Sequence, residues 1–425
     1  MNLYKKLKFD ENTLIGSLFL LHFCRDLFSS VVFRIFGRES IYPVYFVIFC
    51  SLFLIYVVQH LKKIIIPVLL FLIVSLMFLY TYLIHPEYFS WFVHETYGFF
   101  VAIIVPGCAL WVFPLIWLIK DEDRLYRFLL MACWLNFIFY TLQFIASKYR
   151  GYWGVMDIDK TTMEMTYNLE WGYNMLMPVS FFGACAFLQR NKKRYYLPFV
   201  AGFAMILIGG SRGAAIWPIL MFPIIMPFMW RKMKSFQKFN FFCGVSLIAV
   251  FIIFCLLNKD VLLLFLQNGV SRLGITSRTF TSIFDGSIFE SNGRNKIYSI
   301  ALDLIKRGGL LGWGVYGDRP IISYAGFKWG YSHNLFLELL VSFGYFGGGI
   351  IIVLLLMGVI TLYRVCKNSK RQIVFITFFV TSLKLMLSNS FWYTGSFWAL
   401  IALMLLWRKI DNTEVLCRVE VVKKV

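Results

Sequence analysis

Charge is what this sequence is short of. Of its 425 residues, 15% are Asp, Glu, Lys or Arg and 60% are hydrophobic, where a soluble domain has about a quarter charged and half apolar. With a mean hydropathy of +0.72, the chain is excluded from the soluble globular class and reads as a polytopic membrane protein. Acidic residues are scarcer still: 22 Asp and Glu against 42 Lys and Arg leave a formal net charge of +20. The basic residues stand in short clusters between apolar runs ("HLKK", "RNKKR", "RKMK", "RVCKNSKR"). That is the positive-inside pattern of membrane proteins, not a nucleic-acid patch. Cysteine offers no framework either. The nine cysteines form no CxxC pair and no Cys/His ligand spacing, so neither disulfides nor a zinc site is indicated. The basic-then-apolar start lacks a small-residue cleavage site and reads as a retained first helix.

What is present is a series of long apolar runs. A helix needs about 20 apolar residues to cross the hydrocarbon. Such runs lie near 14–33, 41–59, 64–84, 99–119, 126–146, 172–189, 195–211, 213–230, 239–257, 335–363, 372–390 and 396–407. The expected fold class is therefore an all-α polytopic membrane protein of about twelve transmembrane helices. Arg25 and Asp26 interrupt the first run, and the last is short. With the N-terminus inside, Lys and Arg concentrate in alternate loops, while "HPEYFSWFVHETYG" and "FWYTGS" have none. Both termini are then expected in the cytoplasm.

One loop departs from this scale. Residues 258–332 are polar, long enough to form a small domain, and placed outside by the alternation. Within them "NGRNKIYSIALDLIKRGG" has apolar residues at 297, 300, 301, 304 and 305. This is one face of a helix, ended by Gly308 and Gly309, and expected on the membrane surface or over a cavity. The organisation read from the chain is an N-terminal bundle over 1–257, the loop over 258–332, C-terminal helices over 333–410 and a tail over 411–425.

The residues suited to chemistry lie on the expected outer side. Arg212, in "GGSRGAA", sits at a tight turn between two apolar runs. Arginine grips phosphate with a two-pronged fork, or else snorkels to headgroups there. Arg278 and Arg294 in the long loop are either phosphate ligands or solvated charges. In "SHNLFLELLVSFGYFGG", His333 can take a proton from a hydroxyl near neutral pH, or serve as an interfacial side chain beside Asn334. Glu338, five residues on, projects about 140° away around an ideal helix. It shares a site with His333 only if the helix is irregular; otherwise it anchors the loop. The glycines at 344, 347, 348 and 349 supply either such a break or a close helix contact. Lys384, within an apolar run, is a functional candidate that also lies near enough to the outer end to snorkel. "DID" at 157–159 matches a metal–diphosphate motif, but it falls in an outer loop without a strand pattern and is expected to be solvated.

Three stretches, "GGSRGAA", "NGRNKIYSIALDLIKRGGLLGWGVYG" and "SHNLFLELLVSFGYFGG", resemble in order and expected side the landmarks of the O-antigen polymerase and ligase family. They cover roughly residues 200 to 350. The sequence departs at "VSFG", where family members often have an acid before the glycine. The resemblance implies a transferase that takes a glycan from undecaprenyl diphosphate on the periplasmic side of a bacterial inner membrane, without metal, cofactor or nucleotide sugar. By position, Arg212 matches the family's outer-turn arginine, Arg294 the loop arginine and His333 the histidine at the loop's end. Arg278, Asn334, Glu338 and Lys384 are further substrate-binding candidates. A polymerase of lipid-linked repeat units is favoured on base rates over a ligase acting on the lipid A core. A flippase suits twelve spans but not the absence of two related halves. A chain-length regulator and a flippase are expected partners, beside membrane lipids; nucleic acid is not.

Overall fold

The computed structural model describes residues 10–94, 98–156, 162–165, 167–189, 193–231, 233–238, 293–327 and 330–408. Arg278, the run at 239–257, the first part of the long loop and the tail at 411–425 fall outside them. The chain divides into two compact units, residues 1–135 with 292–425, and residues 136–291.

The first unit opens with α1 (Glu11–Phe23) and α2 (Arg25–Phe36), bent by 80° from each other at Cys24. The bend falls where Arg25 and Asp26 interrupt the first apolar run. Arg25 Nη1 donates to the Gly107 carbonyl at 2.8 Å, which gives the cation a partner at the break. The next two helices, α3 (Ile41–Gln59) and α4 (Ile65–Ile84), expose Leu54, Val58, Leu69, Ile73 and Leu76. Apolar surface of that extent faces lipid rather than water. The run at 99–119 does not form one helix. A π-helical turn at Phe100–Ile104 gives way, past Gly107 at φ +93°, to the short α5 (Val112–Leu118).

Helix α6 (Glu122–Arg150) starts in this unit. Its first turn is tied to the start of α14 (Ser369–Ser382): Lys370 Nζ reaches Asp123 at 2.7 Å, Asn368 Nδ2 donates to Glu122 at 2.6 Å, and Arg371 also pairs with Glu122. At the head of α1, Lys63 Nζ donates to Glu11 Oε1 at 2.5 Å and the Tyr56 hydroxyl to the same oxygen at 3.3 Å. The unit is completed by α10 (Arg294–Gly308), α11 (Arg319–Tyr324), α12 (Leu335–Phe343), α13 (Gly349–Val365) and α15 (Gly395–Arg408).

In the second unit the remainder of α6 joins α7 (Leu169–Leu188), α8 (Tyr196–Ile208) and α9 (Arg212–Trp230). Helix α7 is buried nearly all round. Its glycines admit close neighbours, since a Cβ at Gly172 would meet Ser211 and one at Gly183 would meet Met221 and Phe199. Small residues let membrane helices approach in this way, as the residues beside Arg212 suggested.

A correction arises at 153–165. The sequence showed no strand pattern around "DID", yet β1 (Trp153–Met156) and β2 (Thr162–Met165) pair antiparallel, with Trp153 opposite Met165. The short strands were hidden because Gly154 and Thr162 break any alternation of apolar residues. Asp157 and Asp159 lie between them, outside the described residues. Apart from this hairpin the described architecture is all-α.

Among the described residues five helical segments are long and apolar enough to cross a membrane, α3, α4, α6, α9 and the segment Leu335–Val365, or six if α1 and α2 count as one bent span. The apolar helical segments Ala102–Leu118, interrupted at Gly107, and Gly395–Arg408 are shorter. Helices α7, α8 and α14 occupy other runs read as spans. Length at the apolar runs was legible from hydropathy; where each helix breaks was not.

Candidate functional site

The site grows from a broken helix in the first unit. Helix α12 ends at Gly344, whose φ of +67° opens the chain into a π-helical turn (Gly344–Gly348) before α13 begins. A break inside an apolar segment leaves backbone groups needing partners. The loop after α10 supplies them. Trp313 and Gly314 donate their N–H groups to the Val341 and Ser342 carbonyls at 2.9 Å, and Tyr345 and Phe346 donate to Gly309 and Leu310 at 3.0 and 3.2 Å. Glycine is required on both sides of this seam: a Cβ on Gly312 would lie 2.3 Å from the Gly344 nitrogen, and one on Gly344 2.3 Å from the Leu310 oxygen. The glycine cluster is thus a break and a close contact at once.

The same seam fixes α10. Ala301, Leu304 and Ile305 pack with Val341, beside the partly buried Ile300, Leu337 and Leu340, and Ile297 is buried on the same helix. These are positions the helical spacing picked out. Trp313 Nε1 donates to the Leu304 carbonyl at 2.8 Å and pins the far end. Gly293, left-handed at φ +82°, turns the chain into the helix, whose first residue is Arg294. Arg212 likewise begins a helix, α9, in the second unit. A cation at a helix N-terminus is disfavoured by the macrodipole, while the same end attracts anions. Both arginines therefore occupy positions that the helix dipole disfavours.

From the seam the chain runs through "GVYGDRP" into a buried ionic cluster. Asp318 and Arg319 have side chains 0% and 2% exposed, and Glu338, from α12, is buried with them. Arg319 Nη1 donates to Asp318 Oδ1 at 2.5 Å, and Nη2 donates to Glu338 Oε1 at 2.8 Å and to Ser390 Oγ at 3.0 Å. The Ser390 hydroxyl donates to the same Glu338 oxygen at 2.5 Å. Asp318 Oδ2 accepts from both the Ser332 amide (2.8 Å) and its hydroxyl (2.7 Å). The guanidinium lies over the rings of Tyr316 (4.8 Å) and Tyr331 (5.4 Å). Burial works against its charge, but Asp318 and Glu338 outweigh that and push the arginine's pKa up. A buried charge survives only when paired and hydrogen-bonded in this way.

Beside the cluster lies His333. It is not part of α12; it precedes Asn334, whose Oδ1 caps the helix by accepting from Phe336 (3.0 Å) and Leu337 (3.3 Å). His333 is held at φ +51°, its ring centroid 4.0 Å from that of Tyr331, with a buried Nδ1 that has no hydrogen-bond partner. Burial first, then the charges of Arg294 and Arg319, lower its pKa to about 4, so the ring is neutral at pH 7. Among the described residues two others that are not glycine share its left-handed backbone, Tyr316 at φ +63° and Asn389 at φ +69°. Both flank the cluster: the Tyr316 hydroxyl meets that of Tyr393 at 2.7 Å, and the Asn389 amide donates to the Tyr331 hydroxyl at 3.1 Å. Strained residues gather where function or over-determined packing sustains them.

The structure thus brings His333, Asn334, Glu338 and Arg294 into one neighbourhood. Glu338 faces Arg319 rather than His333, which is the anchoring alternative of the two the sequence left open. Lys384 stands half-buried on a 3-10 turn (Leu383–Met386) that Asn334 Nδ2 touches through the Met386 carbonyl at 3.4 Å. Arg212 is half-buried in the second unit. Arg319, Asp318, Ser332 and Ser390 were missed. One signal was available: Glu338 is a lone carboxylate in an apolar helix, and such a group calls for a cation. Among the described residues no three His, Cys, Asp or Glu side chains gather as a metal site.

Residues 197–352 match the sequence family described as O-antigen ligase. The match runs from α8 into α13, so Arg212, Arg294, Arg319, His333 and Glu338 all fall within it. No curated protein matches the chain.

Proposed function

We propose, for a chain whose residues 197–352 carry the O-antigen polymerase and ligase family's domain, that it polymerises lipid-linked surface-glycan repeats. The donor is a glycan on a polyprenyl diphosphate. The acceptor sugar hydroxyl attacks the anomeric carbon, the bond from that carbon to the diphosphate oxygen breaks, and the lipid diphosphate leaves. The family match supports glycan transfer of this kind, polymerase over ligase rests on base rates, and the surroundings of His333 support the chemistry. A neutral imidazole with an unpartnered buried nitrogen accepts the hydroxyl proton as the new bond forms. Arg294 places positive charge near it, where the leaving diphosphate needs stabilising. As the diphosphate settles against Arg294, the field that depresses the imidazole weakens, and the base strengthens only with substrate in place. Arg212 is assigned a diphosphate contact on the sequence resemblance.

The alternation of basic loops puts the termini in the cytoplasm, and two features support the grouping of segments into two sides on which it rests. Segments read as inner pair with one another, Glu11 with Lys63 and Glu122 with Arg371. Segments read as outer do the same: the Val315 amide donates to Thr81 Oγ1 at 3.0 Å, and Tyr316 meets Tyr393. In a background lacking the native cysteines, an impermeant thiol reagent added outside the inner membrane labels Glu290→Cys and leaves Lys192→Cys unmodified. The reverse pattern overturns the topology.

The activity is tested on purified protein with lipid-linked repeats in detergent and excess chelator. A ladder of lengthening glycan is expected, with the Asp157→Asn/Asp159→Asn variant giving the same ladder. Transfer that occurs only onto added lipid A core makes the protein a ligase. Loss of activity restored by manganese or magnesium would bring the "DID" motif back as a metal site.

A further inference from the structure

The proposed chemistry leaves the buried cluster around Arg319 without a task. The guanidinium cannot serve as a phosphate ligand, because Asp318, Glu338 and Ser390 occupy it and two aromatic rings cover it. Its connections lead instead to one residue by three routes. Asp318 clamps both the amide and the hydroxyl of Ser332, the immediate neighbour of His333. The Tyr331 ring lies within reach of the guanidinium and packs against the imidazole, tilted by 36° with centroids 4.0 Å apart. Glu338 fixes the helix that Asn334 caps. An imidazole in a left-handed backbone keeps that conformation only if its surroundings impose it. Here Tyr316 and Asn389, the other two left-handed residues that are not glycine among those described, belong to the same surroundings.

We propose that Arg319 is the positioning residue of His333, holding Ser332 and the Tyr331 ring so that the imidazole is aimed at the acceptor hydroxyl. This rests on the reading of His333 as the base. A displaced base costs about 10²-fold in rate for a shift near 1 Å, and positioning affects the chemical step rather than the donor's hold on the site.

The test compares Arg319→Lys, Tyr331→Leu and His333→Ala in the purified assay, each checked for a folded, monodisperse state in detergent. Arg319→Lys keeps the charge and loses the fork; Tyr331→Leu removes the ring relay and leaves the ion cluster intact. For Arg319→Lys, kcat falls about 10²-fold with the donor KM within about threefold. In Tyr331→Leu, kcat falls about tenfold. There the acid limb of kcat/KM also moves up from near pH 4, because His333 gains solvent while Arg294 and Arg319 still face it. A purely fold-stabilising cluster gives a different result: activity tracks the folded fraction and the acid limb stays in place. Should Arg319→Lys not fold, the kcat and pH limb of Tyr331→Leu decide. Wild-type turnover in folded variants, with His333→Ala inactive, overturns the positioning role alone. Full activity in His333→Ala overturns the base assignment beneath it.

Discussion

Replacing His333 by Ala lowers turnover by about 10²–10⁴-fold, the range for loss of a general base, and leaves donor binding nearly unchanged, because the proton moves only as the glycosidic bond forms. The pH profile of the wild type carries the same assignment. In the free protein the histidine is held at about 4, first by burial and then by Arg294 and Arg319. Activity in kcat/KM, which reports the free enzyme, therefore holds down to about pH 4 and falls below it as the ring takes a proton. With donor bound, the diphosphate offsets Arg294 and the acid limb of kcat lies at higher pH. Folding follows the same sign. The unfolded chain takes this proton near pH 6.5 and the folded chain only near 4, so the contribution to stability is full above about 6.5 and declines as the pH drops toward 4. Lipid-linked repeats supplied to detergent-solubilised protein measure the effect directly, since no membrane sidedness remains for a flippase to act on. Chain growth at the wild-type rate in His333→Ala would make the histidine structural and remove the mechanism.

Arg212→Lys is expected to lower activity by about 10²–10³-fold, as loss of one preorganised transition-state donor does. The charge survives, but the two-pronged fork does not. Position adds to the argument. Arg212 is the first residue of α9, where a cation adds to the positive end of the helix dipole. Its removal is not expected to cost stability through that dipole. An Arg212→Ala protein that melts at or above the wild-type temperature yet fails to elongate glycan separates function from folding. A wild-type rate in Arg212→Lys would return this arginine to an interfacial role.

Much of this protein was legible in one dimension because the bilayer leaves few choices. Apolar runs of span length, the alternation of basic loops, and the spacing of residues 297, 301, 304 and 305 each follow from a local rule: solvent matching for the runs, charge bias for the loops, helical period for α10. The order of "GGSRGAA", "NGRNK" and "SHNLFLE" likewise led to the family that residues 197–352 match. Hydropathy did not place the breaks at Cys24, Gly107 and Gly344, since a helix interrupted by one bend keeps its apolar average. The short hairpin at 153–165 was lost for want of an alternating pattern. Above all, the sequence did not pair Glu338 with Arg319. Those residues lie nineteen positions apart, joined by a loop with no period, and their meeting depends on a seam that only glycine at 312 and 344 permits. Burial then decides what each charge does: it commits Arg319 to two carboxylates and leaves His333 neutral, the state that the proposed base requires.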